Sequence, residues 1–420
     1  MSPKVKPIVN RGPHRKGFTT SILHCDRQKN IEHGSLHKPI HNSVAFGYER
    51  AEDLAAVFQG NQPGYAYGRQ GNPTVAALED KITLMENGVS TVCFATGMAA
   101  ICATLLTLLR AGDHLIASSF LFGNTDSLFK TFRQFGVEVS FVDSTSTGTV
   151  ASEIRSNTKV VFVETIANPR TQVADLEGIG KLCGEAGLLY IVDNTLTTPY
   201  LFQPAFVGAH LVIHSLTKYI GGHGNVLGGS VTDTGLFDWA SYPRIYDQYK
   251  KGDEQKWGLL QVRKKGLRDS GATLSSDSAH MLAVGAETLG LRMARACENA
   301  MAMAGYLGSH KSVSRVFYPG EDGHPEHDRA SRLFGAYGTI LSIELADGVD
   351  CFRFLNNLDL IVKSSNLGDN RTLAIPVAHT IFYEMGPERR ASMGISDGMV
   401  RFSVGIEDEE DLMRDLAQAL

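Results

Sequence analysis

The sequence predicts an α/β protein in which a mostly parallel sheet lies between helices, followed by a smaller α+β unit toward the C-terminal end. Three observations carry that prediction. Short β-prone runs alternate with helical ones from about residue 90 to 230, a long helical pattern then interrupts the rhythm, and strands and helices are mixed beyond it. At 420 residues the chain also exceeds the roughly 250–300 at which one core stops growing. We therefore divide it into an arm (1–62), a large α/β domain (63–278) and a C-terminal α+β domain (279–420).

The arm lacks periodic patterning, and its first twenty residues are basic without an apolar run, so we expect a loose leader and not a secretory signal. Residues 91–109, TVCFATGMAAICATLLTLL, approach the length of a membrane span. Gly97 interrupts them after a β-prone run, so a buried strand, a tight turn and a buried helix are expected, and no membrane partner. The strands HLIASS, VEVSFVD, KVVFVET, LLYIVDNT and HLVIHS follow, separated by helical stretches such as TDSLFKTFRQF and LEGIGKLCGEAG. Residues 235–275 read as polar and irregular, and 278–308 as one long helix. The last unit shows strands TILSIEL and MVRFSVG and helices CFRFLNNL and EDEEDLMRDLAQAL.

Charge and cysteine usage narrow the function. With 40 basic and 45 acidic residues and no basic stripe, the chain has no electrostatic footprint for nucleic acid. Six scattered cysteines without CxxC pairs read as reduced core thiols of a cytoplasmic protein. His324 and His327 in HPEHD lack further ligands at metal-site spacing, so no metal is expected. GGHGNVLGG, residues 221–229, follows neither dinucleotide-loop nor P-loop patterns.

The chemistry concentrates where parallel strands end. Lys218, in HSLTKYIGGHG, lies where a strand runs out into a glycine-rich turn; Asp193 ends a strand in VDNT; Gly97 opens a helix after a strand. On a parallel sheet all three converge at the carboxyl edge. A lysine to hold an aldehyde, a carboxylate to keep a pyridine nitrogen protonated and a helix N-terminus to bind phosphate are what pyridoxal 5'-phosphate requires. Backbone amides of Gly97 and Met98, with the hydroxyls of Ser215 and Thr217, suit the phosphate. Taken singly, each residue has a plainer reading: Lys218 as a solvated turn residue, Asp193 as a turn former, Arg401 as an outward strand charge.

The set YGRQGNPT, TGMAA, VDNTLTTPY, HSLTKYIGGHG and MVRFSVGIED, in this order, resembles the Cys/Met-metabolism family of pyridoxal phosphate enzymes over about Phe18 to Leu420. That family includes cystathionine synthases and lyases, methionine γ-lyase and O-acylhomoserine sulfhydrylases. The resemblance implies a fold-type I (aspartate aminotransferase-like) architecture, a homo-oligomer of shared sites, most simply a homotetramer, and a small amino-acid substrate. It also implies an arm that contacts the neighbouring subunit. Lys218 would bind the cofactor, Asp193 its ring nitrogen, and Gly97, Met98, Ser215 and Thr217 its phosphate. Tyr67 and Arg69 would reach the neighbouring subunit's phosphate, with Tyr67 also catalytic. Arg401 would grip the substrate α-carboxylate, with Asn366 beside it.

Departures from the family pattern bear on the reaction. Phe122, in FLFGNT, stands where the family commonly stacks a tyrosine on the ring, so stacking survives and the phenol does not. Acid help for a leaving group would then fall to Tyr67, Tyr65 or Lys218. Asn124 replaces the cysteine usual in methionine γ-lyases, and SNLGD with Asn366 resembles the sulfhydrylases. IPVAHTIF, residues 375–382, replaces a usual substrate-side element and leaves the contacts near His379 open. The expectation is γ-replacement on an O-acetyl- or O-succinyl-homoserine by sulfide or a thiol. The alternatives are γ-elimination and a cofactor-binding homologue without turnover.

Overall fold

The computed structural model describes residues 16–28 and 31–420. Successive residues of the central strands join, in alternation, two apolar layers on opposite faces of one sheet. Val161, Val163, Tyr190 and Val192 pack on one face, and Val160, Phe162, Leu189 and Ile191 on the other. These central strands are thus apolar on both sides, as in parallel sheets covered by helices. The strands are β1 (Ser90–Phe94), β2 (His114–Ser118), β3 (Glu138–Val142), β4 (Thr158–Glu164), β5 (Leu189–Asp193), β6 (Leu211–His214) and β7 (Gly229–Asp233), in the order β1-β7-β6-β5-β4-β2-β3. Neighbouring pairs from β6 to β3 are parallel, while β7 runs antiparallel to β1 and β6.

Residues 91–109 form the expected buried strand and helix (Gly97–Leu108), and no helix among the described residues is long and apolar enough to cross a membrane. Strand β7 escaped the sequence reading because GSVTD carries one bulky apolar residue and follows a glycine-rich loop. Its first residue must be small: a Cβ on Gly229 would meet the Thr96 carbonyl oxygen at 2.1 Å.

A second sheet joins β8 (Val313–Phe317), β9 (Ile340–Leu345), β10 (Val362–Lys363), β11 (Leu373–Pro376) and β12 (Met399–Ser403) in the order β10-β11-β12-β9-β8. The expected strands TILSIEL and MVRFSVG are β9 and β12, side by side. Two readings are corrected. The span 278–308 is two helices, Ser276–Glu287 and Leu289–Ser309, separated at Thr288, whose backbone (φ −102°, ψ 7°) leaves helical geometry where the apolar pattern continues unbroken. Within the stretch read as irregular, residues 257–270 are helical, and Trp239, Tyr242, Leu259 and Val262 are buried against the first sheet's core. The arm is ordered in part: Ala45 bridges Tyr67, and the Gly68 amide donates to the Val44 carbonyl at 2.7 Å.

Candidate active site

The carboxyl ends of β4, β5 and β6 and the start of the helix Gly97–Leu108 open on a cavity of about 370 Å³, closed from the other side by residues 364–367, Ile381 and Arg401. Eight of the eleven residues singled out from sequence line it: Gly97, Met98, Phe122, Asp193, Ser215, Lys218, Asn366 and Arg401.

Lys218 sits in the turn after β6. Its amide donates to the Ser215 carbonyl at 3.1 Å, and the Gly222 amide returns to the Lys218 carbonyl at 2.7 Å, with Gly222 in the left-handed region at φ 73°. The buried Arg292 clamps this turn by donating to the carbonyls of Tyr219 (2.6 Å) and Ile220 (3.2 Å). Sequence reasoning missed Arg292, which lies inside a helical pattern with nothing to distinguish it. The Lys218 ammonium donates to Asn366 Oδ1 at 2.7 Å. Burial, and then the nearby Arg401 guanidinium, lower the Lys218 pKa to about 8. The turn therefore delivers an amine of which an appreciable fraction is unprotonated near neutral pH.

Asp193 closes β5. Its Oδ1 accepts from the Thr195 hydroxyl at 2.5 Å and the Thr195 amide at 2.9 Å; burial raises its pKa, and those two bonds oppose the rise. The helix at Gly97 is capped by Thr96, whose hydroxyl oxygen accepts from the Ala99 amide at 3.0 Å. The preceding amides, of Gly97 and Met98, have no intrahelical acceptor and belong to residues that line the cavity. A Cβ on Gly97 would lie 2.8 Å from that of Ser215, so glycine is needed for helix and strand end to approach.

Arg401, on β12 opposite Ser342, is buried. Its Nη2 donates to the carbonyls of Ser365 (3.1 Å) and Asn366 (2.9 Å), and its Nη1 to Asn168 Oδ1 (3.5 Å), while Nε is buried without a partner. An orphaned guanidinium donor at a cavity wall fits a carboxylate ligand. The outward-charge reading of Arg401 does not hold.

Three residues lie elsewhere. Thr217 exchanges hydrogen bonds with Gly228: its hydroxyl donates to the carbonyl at 3.2 Å and accepts from the amide at 3.0 Å. Tyr67 and Arg69 are exposed; the Arg69 guanidinium is 5.5 Å from the Tyr67 ring and donates to the Arg268 carbonyl. Tyr65 lines a separate cavity with Phe58 and Arg263. His379 is 3.3 Å from the Asp397 carbonyl and its ring packs tilted at 51° against Phe352, whereas Ile381 of the same segment lines the site. His324 and His327 contact Thr171 and the Pro319 carbonyl.

Lining residues that the sequence reading missed include Glu164, Asn168, Thr195, Ser364 and Ser365. Glu164 had a usable signal, a carboxylate closing the apolar run KVVFVE where Asp193 closes the next strand. The serines lie in a loop whose path depends on the second sheet.

This donor set fits an aldehyde cofactor carrying a phosphate and a basic ring nitrogen. Comparison with known proteins agrees. Residues 19–420 match the model of the "Cys/Met metabolism PLP-dependent enzyme" family. An L-methionine gamma-lyase of Fusobacterium nucleatum subsp. polymorphum is 38% identical over 409 residues, covering 96% of this chain and 98% of the relative. A homocysteine synthase of Schizosaccharomyces pombe is 35% identical over 419 residues, covering 96% and 98%. A solved structure of a putative O-acetylhomoserine (thiol)-lyase from Campylobacter jejuni, containing N'-pyridoxyl-lysine-5'-monophosphate, superposes with a TM-score of 0.90 at 30% identity, covering 96% and 99%. The architecture is that of fold-type I pyridoxal phosphate enzymes. The chain belongs to the Cys/Met-metabolism family of these enzymes, and pyridoxal 5'-phosphate is its cofactor.

Proposed function

We propose that the protein replaces the γ-substituent of an O-acylated homoserine, O-acetylhomoserine in the first instance, with sulfide or a small thiol. One observation carries this reading: among the described residues lining the cavity there is no tyrosine and no cysteine, and Phe122 stands at its mouth. A carboxylate leaves without a strong acid beside it, whereas a thiolate gains more from protonation as it departs. The apolar side chains of Phe122, Ile166, Leu196 and Ile381 also favour a short acyl group over one ending in a second carboxylate.

When bound, pyridoxal phosphate supplies an electron sink that acidifies the substrate's α and β C–H bonds. The protein's residues do the rest. Arg401 takes the α-carboxylate, using its unpartnered Nε, and so fixes the amino acid's orientation. Lys218 carries protons between substrate carbons, its long side chain reaching from a turn that Arg292 holds. Asp193 holds the ring nitrogen's positive charge. The amides of Gly97 and Met98 and the Ser215 hydroxyl hold the phosphate, and the Thr217 hydroxyl joins them by turning away from the Gly228 carbonyl; Tyr67 and Arg69, exposed here, would complete it in a second copy of the chain, with Tyr67 also free to assist proton transfer. All six cysteines are unbridged, which supports a reducing compartment such as the cytoplasm.

Incubation with O-acetylhomoserine and sulfide should give homocysteine and acetate. Formation of 2-oxobutanoate, ammonia and acetate without homocysteine would make the protein a γ-lyase. That second reading is favoured by the resemblance to methionine gamma-lyases at 38% identity.

A further inference from the structure

Glu164 and Asp193 are direct partners in the parallel pairing of β4 and β5, so their backbones lie one strand spacing apart, about 4.8 Å. Both are partly buried and both line the cofactor cavity. Two carboxylates so placed in a low-dielectric site cannot both ionise cheaply, so one holds a proton. The hydrogen bonds decide which. Asp193 Oδ1 receives two donors from Thr195, while Glu164 has one, the Phe122 amide, at 2.8 Å from Oε1.

We propose that Glu164 is a positioning residue of the cofactor site, held as the neutral acid, which anchors the ring-covering Phe122 segment while leaving Asp193 as the single negative charge for the ring nitrogen. The cations lining the same cavity are Lys218, after β6, and Arg401, on β12; Lys218 donates to Asn366 and Arg401 to Ser365, Asn366 and Asn168. On the helix Gly123–Phe132, which begins beside Phe122, Asp126 pairs with Lys130. The helix Gly97–Leu108 carries no charge, and on the sheet's other side His214 is taken by Glu86 at 2.5 Å. Burial, then the charge of Asp193, raise the Glu164 pKa to about 8, in keeping with this assignment.

The division of labour is tested with Glu164→Gln and Glu164→Ala. Glutamine keeps an acceptor for the Phe122 amide and cannot ionise, so its affinity for pyridoxal phosphate at pH 7, measured by equilibrium dialysis, should stay within about threefold of wild type. Alanine strands that amide and should weaken binding by about tenfold or more. Isotope-edited infrared spectra of the cofactor-free protein should show a protonated-acid carbonyl band that fades as pH rises through about 8 and is missing in Glu164→Gln. A glutamine variant as weak as the alanine one, two variants both like wild type, or a band that persists in Glu164→Gln would each overturn the proposal. The infrared arm needs only the folded glutamine variant, so it remains decisive if the alanine variant fails to fold.

Discussion

The two walls of the cavity are built differently. The wall formed by the first sheet takes Gly97, Glu164, Asp193 and Ser215 from positions at, or within three residues of, strand ends. Their placement follows from counting strands in a covered parallel sheet. The opposite wall takes Ser364, Ser365, Asn366 and Leu367 from a loop and Ile381 from a turn; Arg401 alone comes from a strand. Cofactor chemistry thus rests on fixed backbone, whereas substrate choice rests on segments whose paths depend on packing between two sheets.

The contrast can be broken first at Lys218. Lys218→Ala should lower turnover by about 10³-fold or more and abolish the visible absorbance of lysine-bound cofactor. The loss should be partly reversed by mixing with Arg69→Ala chains, because one site of a mixed dimer receives both intact residues. No recovery despite proven subunit exchange would remove Arg69 from the partner's site.

On the opposite wall the effect should be smaller and of another kind. Arg401→Lys keeps the charge and loses the fork, so kcat/KM should fall about 100-fold, more through KM than kcat, with cofactor retention unchanged. Loss of cofactor in that variant would mean that the two walls are not separable.

Lys218 also makes a pH prediction. Burial penalises its ammonium form, giving a folded pKa of about 8 against 10.5 in the unfolded chain. Between those values the unfolded chain binds the extra proton, so this residue's contribution to stability improves as pH rises from about 8 to 10.5 and is flat below. Denaturation of cofactor-free protein should therefore find Lys218→Met most stabilising, relative to wild type, below pH 8, with the advantage shrinking above it. A growing advantage would contradict the buried-amine picture.

The smallest expected change sharpens the reaction assignment. Phe122→Tyr restores a phenol at the mouth and should raise elimination from methionine by about tenfold, while changing turnover of O-acetylhomoserine less than threefold. Equal gains on both substrates would show that the phenol acts on something other than the leaving group.

What the sequence could reveal follows the same division. Asp193, Lys218 and Gly97 were legible because apolar runs end just before them, whereas Arg401 was legible only through the resemblance that MVRFSVGIED carries, since alternation alone suggested an outward charge. Strand β7 was obscured by glycine and single-atom fit at Gly229. Glu164 was overlooked because a terminal carboxylate on a strand looks like an ordinary edge. Ser364, Ser365 and Ile381 enter the site only once β10, β11 and β12 are assembled, and no local pattern encodes that. That the Thr217 hydroxyl exchanges hydrogen bonds with Gly228, eleven residues on, is likewise encoded by no local pattern.

Among the described residues, one chain's own lining of the cavity offers a leaving group neither a phenol nor a thiol. The direct measurement is the ratio of kcat/KM for O-acetylhomoserine with sulfide to that for methionine elimination, in one preparation at one pH. We predict a ratio above about 100, the lower range of what a positioned acid contributes. A ratio at or below one would contradict the claim and make the protein a γ-lyase in which another group protonates the thiolate.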